Sequence, residues 1–338
     1  MAATEALAPR RPAAVGLWTL TTAGAVAAGI VLRMLGIAED PTAQSFAIVF
    51  TAIVVEALPF VLLGAFVAAV LEVYVPERAF AGLGRLPVGL QLPAAALGGF
   101  VFPVCECGSV PVARRLIAKG VNPSAGVAFM VAAPIFNPVV LGSTWVAYEA
   151  RGLGMEMLLG RGTLGLLLAL LVGWGVGGDG AGRLLKMRFG IDDPGGGDSC
   201  CSPHASKSHA FAAHLTNDFF YMGRFLILGA ALAAVIQTVV PQAILGSAVS
   251  VPLIAVLALM AVAFVSSLCS EADAFVAVSF TSFPLGSQLA FLVFGPVLDL
   301  KLFFLYNATF RRKVVGSIAA AAIPVTVAGA LWFEVLVK

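Results

Sequence analysis

Long apolar segments recur along the whole chain, and several are long enough to cross a lipid bilayer as helices. Of the 338 residues, 60% are hydrophobic and only 11% are charged, whereas soluble domains carry about 25% charged residues. A membrane span needs about 20 mostly apolar residues, and a single segment in lipid satisfies its own backbone only as a helix. We therefore predict an all-α polytopic membrane protein.

The small net charge and the cysteine count exclude two other classes of protein. The formal net charge is +2, and the basic residues do not form the cluster that a nucleic-acid surface requires, so no nucleic-acid partner is expected. The five cysteines are irregularly spaced, which argues against a secreted disulfide scaffold.

Neither a phosphate-binding Gly-rich motif nor a His-Glu-x-x-His helix occurs. We predict no enzyme and no required cofactor, and a transporter of this kind would use an ion gradient, such as that of protons.

The apolar segments divide the chain into four parts. The extra N-terminal helix is predicted over Ala13–Ile37, and the second half begins with a span predicted at Asn217–Val240. The four parts are an N-terminal tail with an extra transmembrane helix (1–43), a first membrane repeat (44–176), a cytoplasmic polar linker that is partly disordered (177–216) and a second membrane repeat (217–338).

Two stretches of sequence indicate an internal duplication. Gly64–Pro76 reads GAFVAAVLEVYVP, and Gly229–Pro241 reads GAALAAVIQTVVP. The offset between them is 229 − 64 = 165 residues, and it becomes 162 after a three-residue deletion. These offsets pair Pro87 with Pro252, Glu106 with Glu271, Pro134 with Pro296 and Asn137 with Asp299.

The distribution of basic residues predicts that the two halves are inverted. Cytoplasmic loops of membrane proteins carry an excess of Lys and Arg, which places Arg10 and Arg11 inside. The first long segment then crosses inward and its counterpart outward, Arg151 and Arg161 lie outside, and Lys301 lies inside. Inverted repeats with broken or re-entrant helices are a transporter architecture whose substrate site lies near the midplane. Three further basic residues are expected to anchor the cytoplasmic side: Arg114, Arg115 and Lys119.

The residues Phe102–Pro111, FPVCECGSVP, are the strongest indication of a functional site. Pro103 and Pro111 interrupt a regular helix, and Gly108 permits a tight turn. Broken backbone inside a membrane must line a cavity or be buried in protein. An acid such as Glu106 is costly there unless it is used or neutralised.

The second half carries acids in the same apolar context. Leu268–Asp273 reads LCSEAD and contains Glu271 and Asp273. Acids at equivalent positions of two inverted halves would approach the same axis, so we predict a proton relay or a cation contact. The alternative is a set of protonated or hydrogen-bonded structural carboxyls.

Three cysteines in apolar segments, Cys105, Cys107 and Cys269, are candidate substrate contacts. Thiolates suit Cu(I), Zn(II) and other thiophilic species, although Cys is also a common small buried residue. Asn137 and Asp299 follow other breaks, where they would either cap a broken helix or contact a solute. The predicted hinges or helix breaks are Pro103, Gly108, Pro111, Pro134, Pro138 and Pro296.

The polar linker contains five soft or borderline donors without zinc-finger spacing. Two interpretations stay open: a flexible tether with incidental His residues, or a loop that collects or senses metal. The donors are Cys200, Cys201, His204, His209 and His214.

Two longer runs, Phe102–Trp145 and Ser266–Phe280, resemble the bacterial predicted permeases, which include the YraQ-type permeases and the organoarsenical efflux permease ArsP. The resemblance extends from about Phe46 to the C-terminus, without the linker. It implies an inner-membrane permease, with efflux of trivalent organoarsenicals in one branch and copper or zinc export in another. Relatives often have a small residue between the two cysteines, and Glu106 at this position favours a cationic substrate.

The expected function is secondary-active efflux of a soft metal ion or metalloid compound by a multi-pass inner-membrane permease. The expected partners are the bilayer and a small inorganic or organometallic solute, and a homo-oligomer is left open. The alternatives are a membrane thiol-redox enzyme that uses Cys105 and Cys107, or a non-transporting metal sensor or partner subunit. The predicted substrate pathway comprises Cys105, Glu106, Cys107, Asn137, Cys269, Glu271, Asp273 and Asp299.

Overall fold

A computed structural model describes residues 40–75, 87–101, 104–176, 207–239 and 251–337. The chain forms two compact units, Met1–Ile48 and Val49–Lys338, and the described part of the first is the start of a helix. The predicted helix over Ala13–Ile37 lies outside the described residues. Within these residues the chain forms α1 (Pro41–Val73), α2 (Val88–Val101), α3 (Glu106–Ala118), α4 (Pro123–Ala132), α5 (Pro138–Glu149), α6 (Gly154–Val176), α7 (Lys207–Val239), α8 (Pro252–Ser266), α9 (Asp273–Ala277), α10 (Leu285–Phe294), α11 (Leu300–Thr309) and α12 (Arg312–Val337).

Four of these helices, α1, α6, α7 and α12, are long and apolar enough to cross a membrane. Among the shorter apolar helices are α4, α8 and α10, which at about 1.5 Å per residue are too short to span the hydrocarbon core alone. Large apolar side chains such as Leu167, Trp174 and Trp332 are exposed on the long helices, as contact with lipid requires. The chain is an all-α, multi-pass membrane protein, as its composition predicts.

The order and bounds of the helices repeat in the second half. The long helices α1 and α7 have 33 residues each. The ends of α2 and α8 are 266 − 101 = 165 residues apart. The starts of α4 and α10 are 285 − 123 = 162 residues apart, and so are their ends, at 294 − 132. Helix bounds therefore follow the two offsets that the sequence indicates, in agreement with a duplication.

The start of α7 differs from the sequence prediction. The apolar span was expected from Asn217, but the helix begins at Lys207. Hydropathy marks only the strongly apolar part of a helix, whereas Ser208–Thr216, in which Ser, His and Thr are mixed with Ala, Phe and Leu, continues the same backbone hydrogen bonding. The last part of the predicted linker is thus helical.

Equivalent helices of the two halves pack antiparallel. Ile53, early in α1, packs with Ala230 and Ala233, late in α7. In the same way Gly160 and Leu164 of α6 lie beside Phe333 and Gly329 of α12, respectively, so the residue numbers of the two helices run in opposite directions. Antiparallel packing of equivalent helices is what an inverted duplication requires, and the opposite orientation of the two halves in the membrane stays a prediction.

Two interruptions, after α4 and after α10, have the same local geometry. In each, a turn and a bend separate the helix from the next one. Asn137 Oδ1 accepts a hydrogen bond from the Val139 backbone N–H at 2.9 Å, and Asp299 Oδ1 accepts one from the Leu302 N–H at 2.6 Å. Both side chains therefore act as N-caps. The interruptions contain Pro134 and Pro296, and Pro138 is the first residue of α5.

Gly108 and Pro111 lie inside α3, so the prediction of a tight turn at Gly108 is wrong. Extended Cys105 precedes the helix, with φ −71° and ψ 175°, and the predicted break at Pro103 lies outside the described residues. Pro111 is the sixth residue of α3, so its ring removes the hydrogen bond to the Cys107 carbonyl, yet the helix continues to Ala118 and the predicted break at Pro111 is absent. Gly108 instead permits a close helix crossing, because a Cβ built on it would lie 3.0 Å from the Gly64 Cα of α1.

Replacing Gly108 with Val is expected to lower the free energy of unfolding by about 1–3 kcal/mol, the usual cost of overpacking. The backbone of Gly64 faces the new side chain, and it cannot rotate away as a side chain can. Denaturant unfolding in detergent measures the effect. Gly142→Ala is the matched control, since a Cβ there meets nothing within 4 Å, and equal stability of Gly108→Val and the control would contradict the close crossing.

Candidate functional site

An ion pair between the two halves lies at the centre of the site. Glu106, the first residue of α3, is 0% exposed, and Lys301 in the first turn of α11 is 2% exposed. Lys301 Nζ donates to Glu106 Oε1 at 2.9 Å. A buried charge is tolerated when it is paired and hydrogen-bonded. The acid that the sequence places at a break is therefore neutralised by a cation from the other half.

Lys301 lies between two carboxylates. Its Nζ is 3.6 Å from Asp299 Oδ2 and also donates to the backbone carbonyl of Leu268 at 3.3 Å. Within the described residues, Asp299 Oδ2 is buried and accepts no hydrogen bond. The ammonium group can thus shift from Glu106 of the first half toward Asp299 on its own helix without losing an ionic partner.

Ser270 connects this pair to the second acidic segment. Its hydroxyl lies 3.1 Å from Glu106 Oε2 and 3.4 Å from Glu271 Oε2. Glu271 is partly exposed, whereas Ser270 is fully buried. The structure therefore brings the two acids that the duplication pairs, Glu106 and Glu271, to one hydroxyl group.

A second buried ion pair also joins the two halves, but here the first half supplies the cation and the second half supplies the acid. Asp273, the first residue of α9, accepts hydrogen bonds from Arg161 of α6 at 2.9 Å and 2.8 Å, one to each carboxylate oxygen. Arg161 also donates to Thr144 Oγ1 at 2.7 Å and to the Ser270 carbonyl at 3.2 Å. Each half thus supplies one acid at a helix start, where the backbone favours a negative charge, and one cation for the other half.

Both cations are buried within helices. Arg161 was expected on the outside and Lys301 on the inside, where solvated basic residues mark the sides of a membrane, yet Arg161 lies about two turns inside α6 and is 0% exposed. Counting basic residues identifies loops only when the residues are solvated. Arg161 lies in the mostly apolar run LGRGTLG, and Lys301 lies in LDLKLFF. A basic residue in such a run indicates a buried functional side chain as much as an acidic residue does, and this pattern could have identified both cations from the sequence.

Cys107 and Lys301 line one small cavity between the halves. Its volume is about 10 Å³, close to what a single water molecule needs. The thiols of Cys105, Cys107 and Cys269 are buried and form no disulfide. The remaining lining residues come from α1, α7 and α11 and include a second sulfur, that of Met222; they are Val61, Met222, Leu226 and Leu305.

Metal-binding groups do not form a ready cage in the part of the chain that the structure describes. No group of three or more His, Cys, Asp or Glu side chains could hold an ion there. Asn137 is buried at its cap position, where its side chain accepts the Val139 backbone N–H. The predicted path residues that do come together are Glu106, Glu271 and Asp299, with Cys107 beside Lys301.

The five donors of the predicted metal loop are divided by the start of α7. His209 and His214 lie in this helix, where His209 is exposed and His214 is half-buried. Five residues along a helix correspond to a rotation of about 140°, so the two rings face different directions. The other three predicted donors, Cys200, Cys201 and His204, lie outside the described residues.

Comparisons with known proteins identify relatives over most of the chain. The family described as "Predicted permease", ArsP_1, matches residues 42–334. The UPF0718 protein YcgR of Bacillus subtilis is 38% identical over 84% of this chain and 95% of its own length. A Streptococcus mutans protein described as a subunit of a two-component membrane permease complex is 34% identical over 79% of this chain and 87% of its own. No solved structure matches the chain significantly.

Proposed function

Because the chain belongs to the predicted permease family, we propose that it is a secondary-active exporter of a soft metal ion or metalloid compound in the cell inner membrane. The family points to a transporter rather than an enzyme. The proposed solutes are Cu(I), Zn(II) and a trivalent organoarsenical. All three are thiophilic species, which the cysteines of the path can contact. The proposed driving force is the proton gradient.

The buried Glu106–Lys301 pair is the observation that carries this proposal. It is formed by one residue from each half and borders the cavity that Cys107 and Met222 also line. A charged pair in a membrane is costly and marks a transport path more often than a structural contact. Inverted-repeat transporters place their sites where the repeats meet, at broken helices.

The geometry supports a mechanism in which Lys301 exchanges partners. While it is bound to Glu106, the cation of Lys301 occupies the place of a positively charged cargo. When it shifts to Asp299, the Glu106 carboxylate and the Cys107 thiol become available to a soft cation or to the electrophilic arsenic of an organoarsenical. Only a cargo that binds the two states differently can drive such a shift. Exchange of Lys301 between the two acids is then the step that couples binding to movement of one half against the other.

Replacing Glu106 with Gln is expected to reduce flux at least about tenfold, since each 1.4 kcal/mol of lost interaction costs a factor of ten. The amide keeps the shape of the Glu106 side chain but lacks the negative charge, which binds Lys301 in one state and would bind the cargo in the other. Efflux of Cu(I), Zn(II) and methylarsenite from proteoliposomes measures this.

Glu156→Gln is the matched control, because Glu156 on α6 is exposed and undergoes the same chemical change. Absence of flux for all three probes in the folded wild-type protein would contradict the proposed substrates. Equal flux in Glu106→Gln and in the control would remove Glu106 from the path.

The name of the streptococcal relative favours a second candidate, in which this chain is one subunit of a two-component permease. In that case the purified chain alone would show little flux in liposomes, whereas native membranes containing it would show flux that depends on Glu106. Full activity of the chain alone would argue against an obligatory second subunit.

A further inference from the structure

A second charged cluster lies away from the buried pairs, at the last turn of α3. Arg115 Nη1 is 3.3 Å from Glu72 Oε2 of α1, and its Nη2 is 3.1 Å from Asp218 Oδ2 of α7. The same Nη2 lies 3.5 Å from His214 Nδ1. We call Glu72, Arg115 and Asp218 the Arg115 cluster. One guanidinium thus joins the end of α1 to Asp218, which lies about three turns inside its counterpart α7.

Lys119 strengthens the α1 side of this contact. Its Nζ donates to the backbone carbonyls of Glu72 at 3.1 Å and Val75 at 2.6 Å. The last turn of α1 is therefore held to the last turn of α3 by two cationic side chains. The sequence predicts only that Arg115 and Lys119 anchor the chain at the membrane surface. In the structure each of them makes defined contacts with α1.

The Arg115 cluster lies on three of the four helices that line the central cavity, α1, α3 and α7. On α1, Glu72 follows the cavity residue Val61 by eleven residues, about 16 Å along the helix and nearly on the same face. On α7, Asp218 precedes the cavity residue Met222 by one turn, about 6 Å.

On α3, Arg115 follows the cavity residue Cys107 by eight residues, about 12 Å. The antiparallel course of α1 and α7 brings all three charged residues to one end of the cavity. The Arg115 cluster therefore links these three helices on one side of the cavity, at the ends of α1 and α3 and eleven residues into α7.

We propose that the Arg115 cluster is a gate that closes the path from the central cavity at this end of the bundle. The inference rests on the proposed transport function. Opening would separate α7 from α1 and α3, which belong to different halves, and would connect Cys107 and Lys301 with water.

The exposure of the cluster fits a contact that opens and closes. The Arg115, Glu72 and Asp218 side chains are 16%, 29% and 10% exposed, so water can replace the ionic partners when they separate. Partly exposed ion pairs contribute little net stability. The fully buried Arg161–Asp273 pair has no such replacement and is suited to a permanent connection.

The accessibility of Cys107 tests the gate without any transported solute. Purified protein is treated with a polar maleimide, and the modified fraction at Cys107 is measured by peptide mass spectrometry, so that no cysteine needs to be replaced. In Arg115→Glu, three acids face one another, and we expect Cys107 to react about tenfold faster through the larger open population. Wild-type Cys107 should react slowly.

Two further variants complete the experiment. The double variant Arg115→Glu with Asp218→Arg restores opposite charges across the contact and should return labelling toward the wild-type rate. Lys313→Glu changes an exposed cation at the start of α12 and should label as the wild type does. If Arg115→Glu does not fold, Arg115→Gln replaces it, with a smaller increase expected.

Unchanged Cys107 labelling in a folded Arg115 variant, or rapid labelling of the wild type, would overturn the gate. Flux measurements on the same samples separate this outcome from failure of the proposed function. Absence of flux with a normal labelling pattern would reject the transported solutes and retain the gate. Normal flux with unchanged labelling would reject the gate alone.

Discussion

Replacing Lys301 with Met is expected to lower the free energy of unfolding by about 3–5 kcal/mol, the usual cost of leaving a buried charge without its partner. Met keeps most of the volume of the side chain but removes the ammonium group. Glu106, which is 0% exposed, would then lack its cation, and the backbone carbonyl of Leu268 would lose a donor. Chemical denaturation in detergent, followed by circular dichroism, measures the change.

A second substitution distinguishes the charge from the packing. In the double variant Lys301→Met with Glu106→Gln, no uncompensated Glu106 carboxylate remains, so most of the lost stability should return. Lys313→Met, at an exposed position, should unfold as the wild type does. An Lys301→Met protein as stable as the wild type would show that Glu106 is solvated or neutral, contrary to the buried pair.

Replacing Arg161 with Met is expected to cost a similar amount, about 3–5 kcal/mol, since Asp273 is left as an unpaired buried acid. Arg161 also binds Thr144 and the Ser270 carbonyl, so the broken segment before α9 loses its attachment to α6. The free energy of unfolding again measures the loss, and proteolysis of the segment around Ser270 should become faster.

Arg161→Lys tests the geometry of the second pair. A lysine keeps the charge but cannot make two parallel hydrogen bonds to Asp273, so it should recover only part of the stability. Asp273→Asn combined with Arg161→Met should recover most of it. Full stability in Arg161→Lys would mean that charge alone holds this contact, and the paired geometry would be irrelevant.

Local patterns predicted the helix breaks after α4 and α10. Asn137 and Asp299 each follow a proline-containing turn, and an Asn or Asp before a helix start is a common cap. The offsets of 165 and 162 also carried over to the helix bounds, because the lengths of apolar segments are directly visible in the sequence. The membrane class followed from the composition for the same reason.

The partners of the buried acids could not be predicted in this way. Glu106 and Lys301 are 195 residues apart, and Arg161 and Asp273 are 112 apart. Such contacts depend on how the halves pack, and a topology rule assigns every basic residue to a loop. Gly108 was misread for a related reason, since a glycine that permits a helix crossing has the same local sequence as one that permits a turn.

The flux of the double variant Lys301→Met with Glu106→Gln, measured in proteoliposomes at equal amounts of folded protein, tests the central claim most directly. In this variant both members of the Glu106–Lys301 pair are neutral, so the Glu106 carboxylate is not left without its cation and stability and transport can be separated. If exchange of Lys301 between Glu106 and Asp299 is part of transport, the variant will be stable but will move Cu(I), Zn(II) and methylarsenite at background rates. Wild-type flux of a transported probe in this variant would show that the pair only holds the two halves together.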